Sequence, residues 1–451
     1  MSIIPDTHPV VAMIERIIGN PLVILGGIVA ALIAPVVLLA VLLQFAWFKA
    51  LLASQMGMSL IFAGLTVFIL LHLAGLGTLA ERKIASWMQD RIGPNRVGFW
   101  GILQPLADGG KFILKEDITP DHVDKPSFIL APFLAFTVAF ITFAVIPWAG
   151  YVKWPWMPAD AAPLHTAVAN VDIGLLYMIA VGSMSVYGVV LGGWASNNKY
   201  SFYGGMRSTA QMLSYEVPLG LGLLIVFLSS GSLSGNKIID DQINGVGGVA
   251  IWNIFMHPIA FILVLVAAFA ETNRTPFDLA EAEQELVGGY HTEYSSMKLA
   301  VFLLSEYVHM AVNGALIMLL FFGGWGLLPF FNGPLTVDNH SWWAMLAKYA
   351  IIWGKISAMI LFYIAIRWTI PRYRYDQLMR IAWKGLIPAG VAMLFIQAVL
   401  VAFNLHTHKH WYVSLGVNLV MIAFILAMLG RSKNPVTGRQ ENLPHIQVVP
   451  A

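Results

Sequence analysis

About ten apolar stretches, each long enough to cross a membrane, run through this chain, and no other feature restricts its fold so strongly. They lie near Leu22–Gln44, Ser59–Leu79, Phe128–Trp148, Gly174–Trp194, Leu213–Ser230, Ile251–Ala270, Leu299–Gly323, Tyr349–Trp368, Gly385–Phe403 and Trp411–Gly430. A helix rises about 1.5 Å per residue, so about 20 apolar residues cross the roughly 30 Å of hydrocarbon. In lipid every backbone N–H and C=O must be satisfied by protein, which leaves a helix bundle as the solution for runs of this length. The expected fold is all-α, a polytopic transmembrane helix bundle. With 58% hydrophobic residues, 11% charged residues and a mean hydropathy of +0.73, the composition is that of an integral membrane protein.

Charge sorts the connecting loops. Of the 26 Lys and Arg residues, only Lys49, Lys153, Lys237, Lys348 and Lys409 fall in the loops on one side of the expected bundle, and Lys355 lies inside a run. The excess on the other side predicts that both termini face the cytoplasm. Asp6 and Glu15 precede the first run, so that run is read as a retained anchor rather than a cleaved signal. A net charge of +2 offers no footprint for nucleic acid. The absence of cysteine excludes disulfides, thiolate metal sites and iron–sulfur ligation, so any redox centre is expected on another polypeptide.

The unusual residues lie in the cytoplasmic stretches Ala80–Asp124, Ala195–Gln211, Glu271–Lys298 and Arg367–Lys384, which no sequence repeat relates. In the first, Glu81, Arg82 and Lys83 are expected at a helix end and Gly93-Pro94-Asn95 forces a turn. Phe99–Asp117 then mixes Phe99, Leu103, Leu106, Phe112 and Ile113 with Asp108, Lys111, Lys115 and Glu116, the pattern of an amphipathic helix lying in the interface. In the second, Arg207, Gln211 and Tyr215 recur at helical spacing with Glu216 beside them, a polar stripe entering the bilayer.

The third stretch crowds Glu271, Asp278, Glu281, Glu283, Glu285 and Glu293 around Arg274. A local helix over Pro276–Leu286 would align Asp278, Glu281 and Glu285 on one face with Glu283 turned away, and such a cluster is expected to share protons. Glu306 and Lys355 place further charges inside apolar runs, expected to pair with one another or with nearby carboxylates. Ionisable groups at that depth point to function.

Seven strings then converge. They are A-E-R-K at Ala80, R-I-G-P-N-R-V-G at Arg91, L-Q-P-L-A-D-G-G-K at Leu103, G-W-A-S-N-N-K-Y at Gly193, S-Y-E-V at Ser214, A-E-T-N-R-T-P-F-D-L-A-E-A-E-Q-E-L-V at Ala270 and P-R-Y-R-Y-D-Q-L-M at Pro371. In that order they resemble the quinone-site membrane subunit of respiratory complex I, the one called H in bacteria and one in mitochondria. The resemblance runs from about Ser59 to Phe403. It implies three parts: an N-terminal extension with one extra helix over residues 1–58, a core of eight transmembrane helices over 59–403, and an extra C-terminal helix with a cytoplasmic tail over 404–451.

The same resemblance implies a subunit of proton-translocating NADH:quinone oxidoreductase that forms a quinone tunnel against the peripheral arm. On matching positions, Arg82, Arg91, Asp108, Lys111, Arg207, Arg274, Phe277 and Asp278 would line or shape the tunnel. Glu216, Glu271, Glu281, Glu283, Glu285 and Glu306 would carry protons from it. Some bacterial relatives have a further glutamate early in the fourth run, where Gly182-Ser183-Met184 supplies none, so the inner path is expected to differ or to use water. The implied substrate is a quinone, ubiquinone or menaquinone, and no metal or flavin is implied in this chain. The implied partners are peripheral-arm iron–sulfur and quinone-site subunits, small membrane-arm subunits and membrane lipid, and the implied location is the bacterial inner or plasma membrane.

Two other classes of function fit parts of the sequence. A membrane subunit of a related membrane-bound hydrogenase would share the fold and the proton path without needing a quinone tunnel. A stand-alone ion transporter is disfavoured by the missing repeats and by charges that sit in loops.

Overall fold

The computed structural model describes residues 44–431 apart from 159, 246–248, 280–282, 332 and 406–407. The run Leu22–Gln44, all but its last residue, and the tail after Arg431 lie outside the described residues. The other expected runs are helical. The main helices are α1 Gln55–Met88, α2 Gln104–Leu114, α3 Lys125–Thr142, α4 Gly174–Ser183, α5 Ser185–Ala195, α6 Lys199–Ser230, α7 Pro258–Glu271, α8 Ser296–Phe321, α9 Trp342–Thr369, α10 Tyr375–Arg380, α11 Ile387–Ala402 and α12 Trp411–Arg431. A two-stranded antiparallel ribbon, β1 Tyr151–Val152 with β2 Leu164–His165, closes one loop. Eight helical stretches among the described residues are long and apolar enough to cross a membrane, which makes this a multi-pass helical membrane protein.

Several helices depart from the simple runs, each for a local reason. At 34 residues α1 is about 51 Å long, well beyond the hydrocarbon thickness, so Glu81, Arg82 and Lys83 stand on its projecting part rather than at its end. The fourth run is divided at Met184 into α4 and α5. A π segment, Ile381–Leu386, joins α10 to α11.

The run Ile251–Ala270 is broken into a short helix, Asn253–Met256, and α7, because Pro258 has no N–H to give the helix ladder. The break strands the Met256 carbonyl and the Ile259 N–H inside the bundle. Asn418 of α12 meets both: its Nδ2 donates to Met256 O at 3.1 Å, and its Oδ1 accepts from Ile259 N at 3.3 Å. One side-chain amide thus replaces the missing backbone pairing.

Packing centres on α8, which lies against α3, α1 and α9, while α6 runs beside α5, α7 and α11. Small residues set the closest crossings. A Cβ on Gly188 of α5 would lie 2.8 Å from Ala135 Cβ of α3, so only glycine lets these helices close to this distance. At the end away from the charged loops, Trp148 stacks on Trp353 with ring centroids 4.7 Å apart.

Lys355 of α9 belongs to that same end. Its ammonium donates to the carbonyls of Phe322 at 2.6 Å, Gly324 at 2.8 Å and Gly326 at 2.6 Å, and it stands 4.5 Å from the Trp252 ring centre. Gly323 and Gly324 adopt left-handed φ values of 65° and 53°, a turn that aims carbonyls left over at the end of α8 at the lysine. The sequence suggests a pair between Lys355 and Glu306 or another carboxylate. The structure instead uses Lys355 as a cap for the C-terminus of α8, and Glu306 pairs with Arg274 near the other end of that helix.

Candidate functional site: a cavity beneath the interfacial helix

Helix α2 lies against the charged end of the bundle, and its attachment is polar. Ser296 Oγ donates to the Phe112 and Lys115 carbonyls at 2.9 and 3.0 Å, Ser295 Oγ donates to Ile118 O at 3.1 Å, and Lys298 meets Asp117 at 3.1 Å. The start of α8 thereby satisfies the last carbonyls of α2. Leu106, Ile113 and Leu114 remain exposed on α2, as suits a helix resting in the interface. From its inner flank Asp108 reaches Arg82 of α1 at 2.7 Å and accepts from Gln104 at 3.1 Å.

The turn after α7 is held by the polar stripe of α6. Gln211 Nε2 donates to Ala270 O and Phe277 O, both at 2.9 Å, and lies 3.2 Å from Asn273 Oδ1, while Asn273 Nδ2 donates to Ser208 Oγ at 2.9 Å. Asn273 takes a left-handed φ of 49°, a conformation that asparagine tolerates better than most residues. This clamp directs Arg274 into the bundle. Its NH2 meets Glu306 at 3.0 Å, its NH1 meets Glu81 at 3.3 Å, and its guanidinium lies 4.6 Å from the Tyr307 ring centre. Glu81 also accepts from Tyr307 Oη at 2.5 Å and from Arg367. Two carboxylates and two arginines therefore balance in one buried network, which compensates the cost of taking each charge out of water.

Around this network opens a cavity of about 420 Å³ with one apolar and one charged wall. Phe112, Ile113, Leu303 and Leu304 line the first; Glu81, Arg82, Asp108, Arg274, Asp278 and Arg367 line the second. A neighbouring hollow of about 350 Å³ shares Glu81 and Arg82 and adds Arg91, Gly93, Pro94 and Trp368. Two small cavities of about 30 Å³ each lead deeper. Glu306 and Asn273 line both the large cavity and the first small one, Glu271 and His309 line both small ones, and Glu216, Ser183 and Asn313 line the second. Each small cavity has room for about one water molecule. Asn313 Nδ2 donates to Glu271 at 3.2 Å. In the loop, burial pushes the Asp278 carboxyl up, and Arg372, Arg367 and Arg274 oppose that shift.

The profile of the family described as NADH dehydrogenase matches residues 60–398, which takes in this whole site. The chain belongs to the NADH dehydrogenase family. It is similar to the H subunit of NADH-quinone oxidoreductase from Leptospira biflexa, 45% identical over 337 residues that cover 74% of this chain and 91% of that protein. An H-type subunit of the same enzyme from Cytophaga hutchinsonii is 44% identical over 328 residues, 73% and 92% of the two chains. Another, from Koribacter versatilis, is 45% identical over 350 residues, 75% and 96% of the two chains. The protein is thus a membrane subunit of the complex I type, and α12 lies beyond the matched span.

Within this family member, the residues singled out in the sequence fall into groups. Arg82, Asp108, Arg274 and Asp278 meet at the large cavity, with Arg91 in the hollow beside it. Glu306, Glu271 and Glu216 follow one another along the deeper cavities. Others stand apart. Lys111 is exposed and lines none of these spaces, and Phe277 is buried against Tyr215 and Tyr373. Arg207 pairs with Glu285 at 2.6 Å, away from the cavity.

The helix expected over Pro276–Leu286 is confined, among the described residues, to Glu283–Leu286, and the Thr275–Pro276 peptide is cis. Asp278 pairs with Arg372 at 3.0 Å and Glu285 with Arg207, so these two carboxylates have separate cations instead of one shared face. Glu281 and the side chain of Glu283 lie outside the described residues. Tyr307, Arg367 and His309 are not legible in sequence as site residues: each reads as one residue within or at the edge of an apolar span, and only the fold brings them to the cavities. Glu81 carries a signal in A-E-R-K, although a charged residue at a helix end reads equally as an anchor. Among the described residues there is no group of three or more His, Asp and Glu able to hold a metal.

Proposed function

We propose that the large cavity receives the quinone of a proton-translocating NADH:quinone oxidoreductase and that the inward series of carboxylates carries protons coupled to its reduction. The observation that carries this reading is the pairing, in one cavity of about 420 Å³, of an apolar wall with the buried Glu81–Arg274–Glu306 network. A quinone needs both features: an apolar corridor for its prenyl tail, and cations or proton donors beside its head group. Reduction to quinol adds two electrons and two protons. Cysteine-free, this chain leaves the electrons to a partner subunit's redox centre, while Arg274, Arg367 and Tyr307 supply positive charge and an O–H where negative charge develops.

The names of the relatives support the quinone reading over that of a hydrogenase component. Proton movement follows from electrostatics. Added negative charge at the head group draws Arg274 and Arg367 away from the carboxylates they neutralise, and Glu306 then favours its protonated state. From Glu306 the order is Glu271 and then Glu216. The Gln211 clamp keeps the Arg274 turn fixed while this exchange takes place.

Arg274→Lys and Tyr307→Phe in the assembled complex test the proposal with minimal change of shape. Lysine keeps the charge but lacks the guanidinium fork that reaches Glu81 and Glu306 together. Both variants are expected to lower quinone reductase activity roughly ten-fold or more while electron transfer from the donor to a water-soluble artificial acceptor is unchanged. Equal loss of both activities, or full quinone reductase activity, would refute the site.

A further inference from the structure

We infer that His309 is a proton-relay residue between Glu306 and the Glu271–Glu216 pair, an inference that rests on the coupling path proposed above. His309 stands on α8, three residues after Glu306, so the two side chains share one face of the helix. Its ring lines both small cavities: the one bounded by Glu306 and Ser305, and the one bounded by Glu216, Asn313 and Ser183. Glu271 is the other ionisable residue common to the two. The imidazole therefore lies where the inward route would otherwise pass from one carboxylate to the next through water alone.

The hydrogen bonding of the ring suits transfer. His309 bonds the backbone of Ala135, while its Nε2 is buried with no hydrogen-bond partner among the described residues. A buried ring nitrogen without a partner is costly for a residue that serves packing alone, and most of the side chains that follow it on α8 are apolar. With the ring already engaged by the Ala135 backbone, the partner-free Nε2 is the nitrogen assigned to proton uptake. One proton leaves the Glu306 carboxyl, passes through a water in the first small cavity and forms a bond to Nε2. The imidazolium then loses that proton through the second small cavity to the Glu271 carboxylate and returns to neutral imidazole. No electron moves in either step. Gly182 leaves this space open, since a Cβ there would lie 3.9 Å from Glu271 Oε1.

The test uses the assembled complex in proteoliposomes and compares His309→Asn, His309→Glu and Glu271→Gln. Asparagine can keep the donor to Ala135 but carries no exchangeable charge, and glutamate is a different shape that carries a proton. The expected result is that His309→Asn loses quinone reductase and proton pumping together by at least about ten-fold, with donor-to-artificial-acceptor transfer intact. His309→Glu is expected to recover a substantial part of both, which a purely structural histidine would not permit. Wild-type rates in His309→Asn alongside a defective Glu271→Gln would overturn the relay and leave the coupling path standing. Wild-type rates in Glu271→Gln would overturn the path itself.

Discussion

Single cations in this bundle do one of two things, and the structure separates them by what they touch. Arg274 touches Glu81, Glu306 and the Tyr307 ring at a cavity wall, where the proposed quinone head group would meet it. Lys355 touches three main-chain carbonyls and a tryptophan face at the opposite end of α8, so its charge is consumed in holding a turn. The sequence surrounds Arg274 with carboxylates and sets Lys355 alone in an apolar run, but neither setting names the partners that decide the role, because those lie far along the chain. The two residues therefore give opposite mutant phenotypes. Lys355→Met leaves three carbonyls without a donor, at about 1–3 kcal/mol each when buried, and should lower the yield and thermal stability of the complex. The molecules that do assemble should pump protons per electron at the wild-type ratio. Normal assembly with a reduced pumping ratio would place Lys355 in the proton path instead.

At the scale of elements, periodicity and length define the spans, and polar capping decides where they begin, end and break. The nine apolar runs within the described residues are helical because no other element satisfies its own backbone in lipid. The amphipathic stretch around Asp108 forms α2 for the same patterning reason. The acidic loop does not follow its pattern. An i, i+3, i+7 spacing suggests a helical acidic face, but the turn at Asn273 and the clamp from Gln211 hold the start of the loop out of a helix, the described helix is confined to Glu283–Leu286, and separate arginines take up Asp278 and Glu285. Long-range pairing of this kind leaves no local trace.

The proline break after Met256 is another such case, since its repair comes from Asn418 near the far end of the described chain. Asn418→Leu removes both hydrogen bonds and leaves a buried N–H and C=O unpaired. The complex should lose about 2 kcal/mol or more of stability, seen as a lower melting temperature in detergent, with quinone reductase activity per assembled complex retained. An unchanged melting temperature would show that α12 merely rests against the break.

At the scale of the molecule, the cavities run from the charged end of the bundle toward its middle in one order: the large cavity beneath α2, then the space shared by Glu306 and Glu271, then the space reaching Glu216. The opposite end instead carries stacked aromatics and the Lys355 cap. This asymmetry, with the charged cavities at one end and aromatic packing at the other, is what the proposed function needs if chemistry at one face is to drive proton movement within the bundle. The claim stands or falls on where quinone binds. The direct measurement is photolabelling of the assembled complex with an azido-quinone, followed by peptide mapping with and without excess unlabelled quinone. The account predicts competable labelling on α1 between Gly75 and Arg82, on α2 between Pro105 and Ile113, and on α8 between Met297 and Tyr307. Competable labelling confined to other surfaces, with these three segments unmodified, would contradict it.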